Sequence, residues 1–286
     1  MAGQTPPTSA RTGLEWSILQ DMSAKSLPRP RVPRVPRPPR LHGLRMASRV
    51  DLGRSLPVTL VRASHPRQAL ITAVVVAVAA ALTGRPLSQV GIVFATVLVG
   101  QAILGWHNDL LDVQRDRRHQ RTGKPIAQGQ VDHGQVWFAL ICAVLLVVPL
   151  AVANGVVAGS SYLMLLGVGL VTNSGVLRRT RFSYLMWMAS FALWPAFLSY
   201  GGAPNGSIGE APSIVLTLLS ALLGIGVHVL TSLPGLVDDN KDGIRHFPLT
   251  LALRTGAPRL LIFASVYTGV IAVAMLISGL TLGVSR

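Results

Sequence analysis

The chain of 286 residues is 50% hydrophobic with a mean hydropathy of +0.50, and only 13% of it is charged. A soluble domain carries about 25% charged residues, so half the usual charge is missing and one or two ordinary soluble domains are excluded. Lys and Arg outnumber Asp and Glu by 26 to 11, for a net charge of +15. The one cysteine, Cys142, excludes an intramolecular disulfide framework and a Cys-based zinc site, and reads as a small apolar filler buried in a span.

Residues 1–67 hold twelve of the 26 Lys and Arg, with much of the proline, concentrated in SLPRPRVPRVPRPPRLHGLR at residues 26–45. Such a stretch buries too little apolar surface to fold and favours extended, solvated conformations, so a disordered basic tail is expected. It contains no continuous apolar run and is therefore no secretory signal. A polybasic arm drawn to anionic lipid headgroups is the preferred reading. A nucleic-acid partner is not expected, because the adjacent membrane domain supplies the anionic surface itself. A true start at Met46, with the tail as an extension of the gene model, is the other reading.

The remainder, residues 68–286, reads as one transmembrane domain. Apolar runs at about 68–84, 88–110, 135–153, 156–176, 183–201, 212–235 and 258–283 are each near the roughly 20 residues that a helix needs to cross the hydrocarbon core. Unbroken runs of this length argue for helices, since lipid leaves no partner for an exposed backbone group. The fold class is therefore all-α, a polytopic helical bundle of about seven spans. Of the 26 basic residues, all but Arg85 and Arg286 fall on one side of such a bundle. The positive-inside rule makes that side cytoplasmic, with the N-terminus inside and the C-terminus outside. In a prokaryote the membrane is the plasma membrane.

Seven of the eleven acids lie in two cytoplasmic loops: Asp109, Asp112, Asp116 and Asp132 in one, Asp238, Asp239 and Asp242 in the other. In GWHNDLLDVQRDRRHQRTGKP, the residues Asn108, Asp112 and Asp116 are spaced by four. On a continuing helix they share a face that drifts about 40° per step. An amide oxygen and two carboxylates suit Mg²⁺, which takes a few hard oxygen ligands and fills the rest with water or substrate phosphate. Asp109, about 100° round the helix, is a neighbour or supporting partner. Arg115, Arg117, Arg118, Arg121 and Lys124 follow and, with a metal, suit a diphosphate. The competing reading is a solvated helix end whose charges pair three or four residues apart, as Asp112 and Arg115 would. In LPGLVDDNKDGIRHFP, Gly243 is expected to end the helix, and two acid clusters on one membrane face suit a pair of cations bridging one diphosphate.

The other polar residues carry less. His228 reads as a hydrogen-bonded packing residue, and His107 and His119 carry no assigned role. Trp106, Trp137, Trp187 and Trp194 read chiefly as interfacial anchors, an aromatic lining that shields a carbocation being the alternative. Gly167, Gly169, Gly224 and Gly226 read as helix-packing contacts. A transporter is disfavoured, because the acids gather at one face and not at the bilayer midplane.

The motif NDxxDxxxD, complete from Asn108 to Asp116, resembles the first signature of the UbiA-type intramembrane prenyltransferases. RTGKPIAQGQV after it, Leu177-Arg178-Arg179-Thr180 at the end of the fourth span, and the Asp-rich stretch 228–248 resemble further parts of the family pattern. The likeness covers about residues 60–283. It implies a bundle whose central cavity opens to the cytoplasmic side and to lipid. In it Mg²⁺ ions hold the diphosphate of an isoprenoid donor, and the allylic cation is captured by a lipophilic, aromatic or quinone-precursor-like acceptor. Carried onto this chain, it implies metal ligation by Asn108, Asp112, Asp116 and Asp239, less firmly by Asp109, Asp238 and Asp242. It gives Asp112, Asp116 and Asp239 the catalytic role, and Lys124, Arg178 and Arg179 the diphosphate contacts.

Three departures from the family pattern stand out. Its second signature is DxxxD, and aligning on Gly243 puts Gly235 where the first of those acids belongs; Asp238 and Asp242, four apart, form a shifted alternative. Thr231 stands where related sequences often have Asn. The family typically has nine spans, so a second copy or a helper subunit closing the bundle is a candidate partner. A terpene cyclase of the same fold, or a non-catalytic lipid-binding or scaffold member, are the alternatives to a transferase.

Overall fold

The structure is a computed structural model that describes residues 55–202 and 208–282. The Pro/Arg-rich stretch at 26–45 lies outside the described residues. The tail boundary expected at 67 does not hold, because residues within it are helical: α1 (Leu56–Ala63) and the start of α2 (Pro66–Leu82) precede it. Then follow α3 (Leu87–Arg118), α4 (His133–Val152), α5 (Val156–Asn173), α6 (Ser183–Ser199) and α7 (Ile214–Ser232). A 3₁₀ turn, Leu233–Gly235, leads to α8 (Leu236–Lys241), α9 (Phe247–Thr255) and α10 (Ala257–Leu282).

Among the described residues, five stretches are long and apolar enough to cross a membrane: α3, α4, α5, the joined α7–α8 segment and α10. The helices α1 and α2 pass only together, as a pair bent by 64°. The remaining expected span is α6, whose 17 residues reach about 26 Å, slightly short of a hydrocarbon core of about 30 Å. It packs between α5 and α7, and packing follows chain order from α2 to α7 before α10 closes on α7.

Burial is inverted relative to a soluble protein. Leu70, Ile71, Val75 and Val78 of α2, Phe138, Ile141 and Leu145 of α4, and Ile262, Phe263, Val266 and Val270 of α10 are all more than half exposed. Apolar faces of this extent belong against lipid. Cys142 is on the exposed side of α4, so it is not the buried filler expected of it. Inside, Tyr162 and Phe197 are fully buried with ring centroids 5.0 Å apart. Gly169, Gly224 and Gly226 do pack against neighbouring helices, while a side chain at Gly167 would meet open space.

Two local details place the site. The long helix α3 runs 32 residues, about 48 Å, which exceeds a hydrocarbon core of about 30 Å, and Asn108 to Arg118 form its last turns. Gly105 lets α3 approach the chain at Ser64, where a side chain would collide with backbone, and this brings His65 beside α3. His65 adopts a left-handed conformation, φ 55°, at the α1–α2 bend. On the opposite side Arg85 is buried and donates to the carbonyls of Phe197, at 3.5 Å, and Leu198, at the last turn of α6. A cation is favourable at a helix C-terminus, which accounts for the isolated basic residue in that loop.

Candidate active site

The first acid cluster lies on α3, which stays helical through the whole motif as its four-residue spacing predicts. Asn108 and Asp112 line the main cavity. Arg178 grips Asp112 with both nitrogens of its fork, 2.6 Å and 3.3 Å from the two carboxylate oxygens. Asp116 is buried beneath Arg121, 3.4 Å from its Oδ1, and Lys124, 3.9 Å from its Oδ2. Asp109 is also buried; its Oδ1 takes a hydrogen bond from the Lys124 ammonium and lies 2.7 Å from His65 Nε2. It does not line the cavity, and it anchors Lys124 and the α1–α2 bend.

The second cluster sits on α8 and its cap. Arg115 bridges Asp239 Oδ1, at 2.6 Å, and Asp242 Oδ2, at 2.7 Å. His246 accepts the Leu249 N–H at Nδ1, so its Nε2 carries the proton and donates to Asp239 Oδ2 at 2.9 Å. Arg121 donates through Nε and Nη2, each 3.1 Å from Asp238 Oδ2. The His119 ring stands between Asp238 and Asp242, 3.4 Å and 3.0 Å from their Oδ1 atoms. The hydrogen bonds from Arg115, and then from His119, hold the Asp242 carboxyl down at about 2. Gly243, at φ 70°, turns the chain out of the helix as expected.

These pairings overturn the reading of local pairs on a solvated helix end. Arg115 is three residues from Asp112, yet it faces the second cluster, and Asp112 is held by Arg178 across the bundle. His119, given no role from sequence, ties two acids together. Asp132 belongs to neither cluster: it caps α4, accepting from Gly134 N at 2.7 Å, with Gln135 completing the capping box.

The two clusters face one another across a cavity of about 870 Å³. Its polar end carries Asn108, Asp112, Arg115, Arg121, Lys124, Arg178, Asp238 and Asp239. Arg179, expected beside Arg178, is exposed and lines only a minor neighbouring pocket. Asp242 is likewise outside the main cavity, so the alternative pair Asp238 and Asp242 does not present itself as a unit. The apolar end is walled by Leu104, Leu165, Trp187, Phe191 and Trp194. Interfacial anchoring therefore suits Trp137, which is 43% exposed, but not Trp187 or Trp194. Trp106 is held inward, donating to the Leu60 carbonyl at 2.8 Å. His228 stacks on Trp187 at 5.2 Å, sits 2.8 Å from Ser183 Oγ and lines the cavity as well.

A membrane-embedded cavity with cations and carboxylates at one end and aromatic walls at the other suits an amphiphile with an anionic head. The model of the UbiA prenyltransferase family matches residues 69–285, most of the chain. The chain belongs to the UbiA prenyltransferase family. Two solved structures share its fold. A UbiA homologue from Archaeoglobus fulgidus bound to GPP and Mg²⁺ is 18% identical with a TM-score of 0.58, over 75% of each chain. A UbiA homologue from the same organism bound to Cd²⁺ is 16% identical with a TM-score of 0.56, over 80% of this chain and 91% of that one. None of the curated proteins compared with the chain matches it.

Within this UbiA fold the donors for a metal are unequal. Among the described residues, no three His, Cys, Asp or Glu side chains converge closely enough to hold an ion by themselves. Mg²⁺, however, is commonly held by one or two carboxylates with substrate phosphate. The first cluster fits that pattern in part: Asp112 lines the cavity, and Asp116, which does not line it, keeps a buried Oδ2 that accepts no hydrogen bond. A buried carboxylate oxygen without a donor is a cost that a cation removes. At the second cluster the family acid is missing, and a Cβ on Gly235 would lie 3.3 Å from Asp239 Oδ2 and 3.5 Å from Arg121 Nη2.

Proposed function

We propose that the protein is an integral membrane prenyltransferase that moves an isoprenyl group from its diphosphate to a lipophilic acceptor. The chain would cross the membrane seven times with the N-terminus and the acid clusters on the cytoplasmic side. The observation that carries the reading is the cavity's division into a charged end and an aromatic end.

Asn108, Asp112 and Asp116 are the residues that would hold Mg²⁺, with oxygen of the substrate diphosphate completing the shell. Bound there, the metal offsets the negative charge that grows on the leaving diphosphate. Arg178 and Lys124 reach the same end of the cavity as diphosphate contacts. A diphosphate that draws Arg178 away from Asp112 frees both oxygens of that carboxylate, so substrate binding and opening of the metal ligand are coupled. As the allylic C–O bond breaks, the electron pair leaves with the diphosphate. The resulting cation lies among Trp187, Phe191 and Trp194, whose faces favour positive charge and whose packing excludes water. The acceptor's carbon nucleophile forms the new bond and then releases a proton.

The test is diphosphate release from geranyl, farnesyl and geranylgeranyl diphosphates by purified protein in lipid, with Mg²⁺ or with EDTA, beside Asp112→Asn. Metal-dependent release that the variant loses supports the reading. Metal-dependent donor binding without release, in the presence of candidate acceptors, would favour the non-catalytic binding member that Gly235 suggests. Binding and release that ignore both EDTA and Asp112→Asn would end it.

A further inference from the structure

Gly235 and the saturation of the second acid cluster carry a further inference, which rests on the diphosphate-binding reading above. Every carboxylate oxygen of Asp238, Asp239 and Asp242 faces a protein cation or imidazole: Arg115, His119, Arg121 or His246. The first cluster instead leaves Asp109 Oδ2 without a hydrogen bond or an ion pair, and Asp116 Oδ2 without a hydrogen bond and with only the Lys124 ammonium, 3.9 Å away. The Arg115 side chain is 12% exposed, and its two anionic partners are both in the second cluster. A metal displacing it would strand a buried guanidinium, a costly exchange. Arg178, by contrast, is 31% exposed and lines the cavity, so it can follow an incoming anion.

We infer that the second cluster takes no metal, and that the Arg121 guanidinium supplies the second positive charge on the diphosphate, so that the site works with one Mg²⁺. Arg121 stands where this requires. Its Nη1 reaches Asp116 of the first cluster at 3.4 Å, and its Nε and Nη2 reach Asp238 of the second. It lines the cavity, and its Nη2 lies beside the space that a side chain at Gly235 would enter. The missing carboxylate and the guanidinium account for each other: an acid at 235 would lie against Arg121, and without one the guanidinium has that wall to itself. A planar fork also suits a diphosphate's paired oxygens better than an ammonium does.

The experiment counts metal ions directly. Full-length protein in nanodiscs is saturated with farnesyl thiolodiphosphate, which resists ionisation, and titrated with Mn²⁺ followed by electron paramagnetic resonance. One tightly bound Mn²⁺ per chain is expected. Two would overturn the inference while leaving the proposed function standing. Failure of the analogue to bind, with or without Mn²⁺, would overturn the proposed function and this inference together. Arg121→Gln is expected to keep one Mn²⁺ and to weaken analogue affinity about tenfold or more at saturating metal. Arg121→Lys, which keeps the charge but loses the fork, should recover part of that loss. Unchanged affinity in Arg121→Gln would contradict the guanidinium's role. Metal stoichiometry in the wild type decides the matter even if a variant folds poorly.

Discussion

Two acid clusters of the same size face each other across one cavity, and they are built differently. The three acids of α3 are held by residues that line the cavity or lie close beneath it, and two of their oxygens remain buried without a donor. Those of α8 and its cap are ion-paired with Arg115 and Arg121 and contacted by the rings of His119 and His246. Similar composition therefore gives different chemistry: one cluster keeps two buried carboxylate oxygens without a hydrogen-bond donor, while every carboxylate oxygen of the other faces a cation or an imidazole of the chain. Gly235, at the turn into α8, adds no carboxylate to the second cluster.

The largest effect of breaking this asymmetry is expected in the first cluster. Asp112→Asn should lower Mg²⁺-dependent diphosphate release by at least about a hundredfold, measured on protein in lipid. Lys124→Met should act through the fold as well. It leaves the buried Asp109 carboxylate with His65 and a long hydrogen bond from Asn108, at a stability cost of about 3 kcal/mol that a lowered thermal midpoint would report. In the second cluster Asp239→Asn should reduce release by only about tenfold, since it loosens Arg115 and His246 without removing a metal ligand. Asp242→Asn should mainly affect stability. The folded carboxyl sits near 2, below its ordinary 3.8, so its contribution is present above about pH 4 and is lost as pH falls toward about 2. The difference in thermal midpoint between wild type and this variant should therefore narrow across that interval. Arg179→Ala, at an exposed position, should change release by less than about twofold.

Much of the site was legible because it is written locally. The four-residue spacing of Asn108, Asp112 and Asp116 needs only a continuing helix, and α3 supplies it. Gly243 needs only its own backbone. Partner choice was not legible, since it depends on which helices meet. Arg115 has an acid three residues away and ignores it for two that are more than a hundred residues distant in sequence. His65 and His119 reach their carboxylates through the α1–α2 bend and the loop after α3, for which the sequence has no code. His246 had a readable signal, a cap residue just before Phe-Pro at a helix start, but nothing marked its second nitrogen as a donor to Asp239. The tryptophans failed for the reverse reason: composition places them in spans, and only packing turns Trp187 and Trp194 inward. Hydropathy extends the span at α6 to residue 201, yet the helix ends at Ser199.

The claim that the clusters differ is tested most directly by anomalous scattering from crystals of the full chain grown with Mn²⁺ and farnesyl thiolodiphosphate. The account predicts one Mn²⁺ peak, beside Asn108, Asp112 and Asp116, with Arg121 on the diphosphate. A peak among Asp238, Asp239 and Asp242 would contradict it.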